Sequence, residues 1–531
     1  MTASFILYIS LIIAILLLVM LAKKINIAYP IVLVLGGLVL SLIPAIPNVE
    51  IDPEMIFLIF LPPLLYDAAW YTSWKSFWKY RRVIASFAFI IVIITSFVVA
   101  MVSSMIIPGF TLALGFLLGG IVSPPDAVAA TTILKNVKVP KTVTVVLEGE
   151  SLLNDAASLI VFRFALIAVD TGRFVFHEAA MDFIIVIAIG IAIGVAVAYV
   201  YFMLHKWLPT DSNIDTVLAL TAPYVMYIAA EKFHFSGVLA VVSGGLFLSA
   251  RSHIFLSHKS RLRGVNVWSA LGFVLNGLVF MLIGLELPVI ISDLGNVSLG
   301  AAIGYGLAIS GVLIISRIIC ALGASAFTVF ASKFITTAES HPGWRGPIII
   351  GWAGMRGVVS LAAALSLPIL LSNKAAFPER SLIIFITFTV ILVTLVLQGL
   401  TLPLIIKWVN LKGPTNELPL YEQELEIKKI LVEKSLSFLN TEYKELLISN
   451  KSLHQLQAKI ETEQTVLEES PSEEHANFKK VYLQLLNKQR GWLLELNKKT
   501  DTDEELIRKH QGLIDLEEEK VRVRYQKHNI T

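Results

Sequence analysis

The sequence predicts an all-α polytopic membrane protein, with about thirteen transmembrane helices over residues 1–410 and a helical cytoplasmic tail over 411–531. Three observations carry that prediction. The first is composition: 56% of the 531 residues are hydrophobic and only 16% are charged, with a mean hydropathy of +0.74. Soluble domains carry about 25% charged residues, and a soluble chain this apolar would have no adequate surface to offer water. The second is a shift along the chain. Residues 411–531 hold 19 Lys and Arg and 22 Asp and Glu, so the polar side chains gather behind a boundary near residue 410. The third is the sorting of basic residues between loops, which needs the spans first.

Apolar runs able to cross roughly 30 Å of hydrocarbon lie near 4–22, 28–46, 53–71, 82–107, 111–135, 141–169, 180–208, 214–231, 236–250, 267–291, 297–331, 345–372 and 379–409. The run at 4–22 has no basic region before it and no small-residue cleavage site, so it reads as a first span rather than a removed leader. The odd-numbered loops, with Lys407 after the last span, carry 17 Lys and Arg. These include Lys75, Lys79, Arg81, Arg82, Lys135, Lys138, Arg251, Lys259, Arg261 and Arg263. The even-numbered loops carry 4: Arg173, Lys232, Lys374 and Arg380. Positive residues collect on the cytoplasmic side, so the N-terminus is expected outside and the tail inside. Loop topology thus accounts for most of the basic residues, and the net charge points to no nucleic acid or other acidic partner. The single cysteine, Cys320, permits neither an intrachain disulfide nor a thiolate metal site.

Charges within spans carry the chemistry, because a lone charge at membrane depth is costly and needs a partner or a wet cavity. Arg163, Arg317 and Arg356 lie in spans; the first two either snorkel at helix ends or are paired. The acids cluster in one third of the chain: Asp67 after Phe60–Tyr66, Asp126 after Ser123-Pro124-Pro125, and Glu148, Glu150 and Asp155 in EGESLLNDA. The alternative for these acids is a hydrogen-bonded polar core that fixes helix packing. Ser151, Asn154 and Asp155 stand at i, i+3 and i+4 and share one helical face. They offer a hydroxyl, an amide oxygen and a carboxylate, which are hard ligands suited to a cation such as Na⁺. Glu150 lies about 140° around that helix from Asp155 and points elsewhere.

Two spans are interrupted. Pro124 and Pro125 break the ladder of the fifth, leaving carbonyls able to ligate a cation. Asp126 then falls at the N-terminus of the second half-helix, where a carboxylate offsets the dipole; that role is favoured slightly over direct ligation. The twelfth span contains Gly351, Gly354 and Gly357, a density that permits unwinding. Broken helices in corresponding positions of two halves point to a transporter binding site near mid-membrane.

At these residues the chain resembles the bacterial sodium/proton exchangers of the monovalent cation/proton antiporter superfamily, in the branch that includes the animal sodium/proton exchangers. The matching stretches are FLPPLLYDA at 60–68, the surroundings of Asp126, ESLLNDA at 150–156 and GMRG at 354–357. The resemblance implies two six-helix inverted repeats with two discontinuous crossing helices, forming a core domain and a dimerisation domain. It implies secondary antiport of Na⁺ or Li⁺ against H⁺ in the bacterial inner membrane, as a homodimer and without a cofactor. It further implies that Asp155 exchanges cation for proton, with Asn154, Ser151 and the Pro125 backbone as further ligands. Asp67 would hydrogen-bond the Asn154 region, and Glu150 would pair with Arg356. One departure is visible: the family usually has proline directly after the acid of the broken helix, whereas Ala127 follows Asp126 and the prolines precede it. The expected break therefore moves a residue or two earlier.

Three rivals are separable. A channel needs a filter of several sites, and no filter-like repeat occurs. A membrane enzyme needs a nucleophile–base or metal constellation; the ten histidines fall mostly in loops or the tail, and no HExxH occurs. A K⁺/H⁺ antiporter would use the same ligand types. In the tail, helical periodicity at Leu425, Ile427, Ile430, Leu431 and Leu436 and a linker at Pro471 predict two or three helical segments.

Overall fold

A computed structural model describes residues 2–43, 57–134, 137, 139–172, 176–294, 297–334, 343–411, 420–468, 473–497 and 504–524. The Pro471 linker and the loop residues Lys135, Lys138 and Arg173 lie outside them. The described residues are helical, with no strand beyond an isolated bridge between Leu370 and Ala376.

The chain forms two units, 1–413 and 414–531. The first contains α1 (Thr2–Ile25), α2 (Tyr29–Ser41), α3 (Leu61–Tyr71), α4 (Trp74–Ile106), α5 (Leu112–Val122), α6 (Ala127–Leu134) and α7 (Lys141–Thr171). It continues with α8 (Phe176–Trp207), α9 (Ser212–Glu231), α10 (Gly237–Phe255), α11 (His258–Leu285), α12 (Leu287–Ser292) and α13 (Leu299–Ala331). It ends with α14 (Arg345–Trp352), α15 (Val358–Leu365) and α16 (Arg380–Val409). Among the described residues, eight helical stretches are long and apolar enough to cross a membrane, one of them joining α5 and α6 across their break. Two π-helical turns, Ser86–Ile91 in α4 and Thr394–Gln398 in α16, interrupt otherwise α-helical stretches.

Local chemistry starts and stops these helices. The hydroxyls of Thr111, Ser236, Ser257 and Ser298 accept from backbone N–H groups of the first turns of α5, α10, α11 and α13. These bonds satisfy donors that the helix itself leaves free. Prolines open α2, α3 and α12, where a missing N–H does no harm. Gly172, at φ 68°, ends α7 in the left-handed conformation.

The helices pack as two groups along a seam. One group holds α4–α7 and α13–α16; the other holds α1–α3 and α8–α12. Across the seam α7 meets α3 and α10, α15 meets α11, α16 meets α12, and the π turn of α16 meets α2. The second unit contains α17 (Leu420–Glu442), α18 (Lys444–Ser449), α19 (Lys451–Glu468), α20 (Glu473–Asn497) and α21 (Glu504–Arg524). In it α17 pairs with α19, and α20 pairs with α21.

Candidate functional site

Both interrupted spans are broken in the structure. The first break covers 123–126, between α5 and α6, and holds both prolines; the second covers 353–357, between α14 and α15. The breaks bond to each other. Asp126 donates its backbone N–H to Met355 O at 2.6 Å. Arg356 is fully buried and donates from Nε to Val122 O at 2.8 Å, with weaker support from its Nη2 to Ser123 O at 3.4 Å. A third donation goes to Gly354 O within its own break. The guanidinium thus collects carbonyls that the broken ladders release, which is how non-helical backbone is accommodated at membrane depth.

Helix α7 crosses the first break and brings three candidate residues to it, Ser151, Asn154 and Asp155. Asn154 is fully buried and donates from Nδ2 to Pro125 O at 2.9 Å. Its Oδ1 accepts from none of the described residues. Ser151 Oγ accepts the Ala127 N–H at 3.2 Å, and Asp126 Oδ1 accepts the Val128 N–H at 2.8 Å. Both therefore cap the N-terminus of α6, and Asp126 takes the dipole position expected of it. Asp155 is 9% exposed; its carboxylate has no hydrogen-bond donor among the described residues and interacts electrostatically with Asp126. The Pro125 carbonyl, expected as a cation ligand, already accepts from Asn154.

Two glycines shape this site. A Cβ on Gly357 would collide with Asp126 Oδ2, and one on Gly354 would collide with Nε of Arg317. The GMRG glycines are therefore clearances for charged neighbours as well as points of unwinding.

The structure corrects the expected Glu150–Arg356 pair. Glu150 is held by Arg317 of α13 through two parallel bonds of 2.8 Å, with both side chains 1% exposed. Arg356 is engaged by carbonyls instead. The physical reason is the bare Cα of Gly354, which lets the Arg317 side chain pass the second break. Arg317 does not snorkel; Arg163, 43% exposed, reaches His234 O at 3.0 Å at the end of α9. Asp67 lies against α11, its Oδ2 3.2 Å from where a Cβ of Gly272 would be, on a helix, α3, that packs against α7; the Asn154 Nδ2 bond runs to Pro125 O. Residues that sequence reasoning missed are Thr394, whose Oγ1 accepts the Arg356 N–H at 3.2 Å, and Gln398. A polar residue recurring at i and i+4 in an apolar run was the available signal for both.

Two broken helices joined break to break, with buried carboxylates beside them, define a polytopic membrane protein of the discontinuous-helix transporter class. Comparisons place it further. The transmembrane sodium/hydrogen exchanger family model matches residues 10–408. The chain is 33% identical over 391 residues to a sodium, potassium, lithium and rubidium/H⁺ antiporter of Bacillus pumilus, covering 71% of this chain. It spans 57% of that relative's length. It is 30% identical to the Na⁺/H⁺ antiporter ApNhaP of Aphanothece halophytica, over 91% of this chain and 88% of that one. The fold matches that of the sodium proton antiporter MjNhaP1 of Methanocaldococcus jannaschii with TM-score 0.60 at 19% identity, over 76% of this chain and 98% of that one. The chain belongs to the sodium/hydrogen exchanger family.

Proposed function

We propose that this protein exchanges Na⁺, and Li⁺ in its place, for H⁺, by competition of cation and proton for Asp155 with alternating access from the two sides of the membrane. One observation carries the reading: Asp155 is nearly buried, unbonded, coupled to the second carboxylate of Asp126, and on the same helix face as the free Oδ1 of Asn154. Such a cluster is electron-rich and lacks a fixed counter-charge. A hard cation bound by oxygens satisfies it, and so does a proton, but not both at full occupancy. Ser151, Asp126 and the Pro125 backbone complete the cluster around the cation, with Asp67 behind them hydrogen-bonding the Asn154 region.

In this reading the chain crosses the bacterial inner membrane thirteen times, with the N-terminus outside and the tail in the cytoplasm, and works as a homodimer without a cofactor. The loop-charge asymmetry supports the orientation; the family resemblance supports the dimer. K⁺ as the transported cation is a second reading, favoured by the Bacillus pumilus relative, an antiporter named for potassium and rubidium as well as sodium and lithium. The test is proton flux in proteoliposomes with Na⁺, Li⁺ and K⁺ offered separately. Flux with Na⁺ and Li⁺ but not K⁺ is expected. Flux with K⁺ alone selects the second reading, and no flux with any of them overturns both.

A further inference from the structure

Gln398 is fully buried, and neither its Nε2 nor its Oε1 meets a hydrogen-bond partner among the described residues. Buried amides are normally satisfied, and the established parts of the site do not use this one. Its position is specific. It closes the π-helical turn of α16, a feature frequent at functional sites. Thr394, Gln398 and Thr401 stand at i, i+4 and i+7 and share a face. Thr394 Oγ1 accepts the Arg356 N–H at 3.2 Å, and Thr401 Oγ1 accepts from Trp352 Nε1 at 3.0 Å. That face therefore lies on the second break, with Gln398 between its two anchors. The neighbouring Gly399 sits against Ile31 and Met355, which wall the place with apolar groups.

The break itself offers acceptors. Helix α14 ends at Trp352. The N–H of Met355, which would continue the ladder to Gly351, bonds Ala353 O at 3.0 Å instead. The N–H of Arg356, which would reach Trp352 O, goes to Thr394. The carbonyls of Gly351 and Trp352 are thereby released from the helix, on the break that Thr394 and Thr401 contact from either side of Gln398. Water, which accepts from Gln398 Nε2 and donates two bonds, serves the amide donor and two of the three acceptors of this set.

We propose that Gln398 is a positioning residue that anchors an ordered water at the end of α14, and that this water donates to the released carbonyls of Gly351 and Trp352. The water supports the segment 352–356. Through Met355 O and the Arg356 side chain, that segment holds Asp126, Val122 and Ser123 in place.

Two measurements test this. The first uses the unaltered protein in nanodiscs and pulsed hydroxyl-radical footprinting, which oxidises side chains beside bound water. Met355, Met226 and Met281 are all buried to 1% exposure or less, so the last two are internal controls. Oxidation of Met355 well above both is expected; equal protection of all three overturns the proposal. The second compares Gln398→Met with Gln398→Asn. Replacing an unsatisfied amide by an apolar group of similar shape is neutral or stabilising, whereas losing a water-held carbonyl cluster is not. Gln398→Met is expected to lower Tm and weaken apparent cation affinity about fivefold with little change in maximum rate, and Gln398→Asn to recover part of the affinity. A raised Tm with unchanged affinity overturns the proposal. The affinity arm rests on the cation/proton exchange reading and the footprint does not, so failure of one is distinguishable from failure of the other.

Discussion

Glu150 and Arg317 are joined by two parallel hydrogen bonds of 2.8 Å in a site from which both side chains are almost wholly excluded from solvent. The bond ties α7, which carries Asp155, to α13. Removing one partner of such a pair strands the other as a buried charge, at a cost of about 3–5 kcal/mol. Glu150→Ala and Arg317→Ala are each expected to lower thermal stability by that order, and the double variant by less than their sum. The same cycle with Arg356→Ala in place of Arg317→Ala is expected to show much weaker coupling. Equal coupling in the two cycles would contradict the pairing.

The glycines of the second break make a steric prediction. Gly357→Ala places a methyl into the Asp126 carboxylate, and Gly354→Ala places one into the Arg317 guanidinium. Overpacking of this kind costs about 1–3 kcal/mol or more. Both variants are expected to lose most transport in proteoliposomes, Gly357→Ala through displacement of Asp126. Gly264→Ala on α11, where an added Cβ would meet nothing within 4 Å, is the control and is expected to behave as the parent. Full transport by Gly357→Ala would mean that Asp126 does not need its observed position.

Asp155→Asn removes the only side chain on the Ser151–Asn154–Asp155 face that can alternate between cation and proton. Exchange is expected to vanish while insertion and thermal stability persist, because no described residue depends on that carboxylate for a hydrogen bond. Robust Na⁺-dependent proton flux by the purified variant would remove Asp155 from the exchange step.

Stoichiometry follows from the amide beside that acid. Asn154 can ligate a cation but cannot release a proton, so a cycle through Asp155 alone moves one cation against one proton and no net charge. A cycle moving one net charge would couple to about 2.3 kcal/mol per 100 mV. With Na⁺ and pH gradients held equal, a potassium/valinomycin potential across proteoliposomes is expected to drive no sustained Na⁺ accumulation. Accumulation that disappears in Asp126→Asn or Asp67→Asn would show a second titrating carboxylate and an electrogenic cycle.

The tail supplies a pH prediction. Glu518 on α21 accepts from Arg490 of α20 and from Arg522, and these guanidinium groups hold its carboxyl below the ordinary value of 4.5. A carboxylate depressed in the folded state contributes stability above its unfolded pKa, lost as pH falls through the folded one. The protection factors of the amides in α20, measured against the intrinsic exchange rate at each pH, are expected to fall as pH drops below about 4.5, and Arg490→Ala to flatten that dependence. The pair is largely solvated, so the effect is modest. An unchanged acid profile in Arg490→Ala would show that the pair does not hold α20 to α21.

How much of this was legible in the chain itself depends on the range of the interaction. Hydropathy is summed over some twenty residues, so the helical membrane class and the polar tail after residue 410 followed from composition alone. Helix periodicity is equally local, and it put Ser151, Asn154 and Asp155 on one face and turned Glu150 away from them. Proline and glycine act on their own backbone, which is why both interruptions were visible, at Pro124-Pro125 and among Gly351, Gly354 and Gly357. Partnerships between elements were another matter. Whether Glu150 meets Arg317 or Arg356 depends on which guanidinium passes the bare Cα of Gly354, a clearance between α13 and the second break that no local pattern encodes. The same holds for Pro125 O, which accepts one bond from Asn154 Nδ2, and for Gln398, an ordinary polar residue in an apolar run until packing seals it against the second break. The sequence determined which charges enter the membrane; only the tertiary structure decided which of them neutralise one another, because that depends on distances of a few ångströms between helices far apart in the chain.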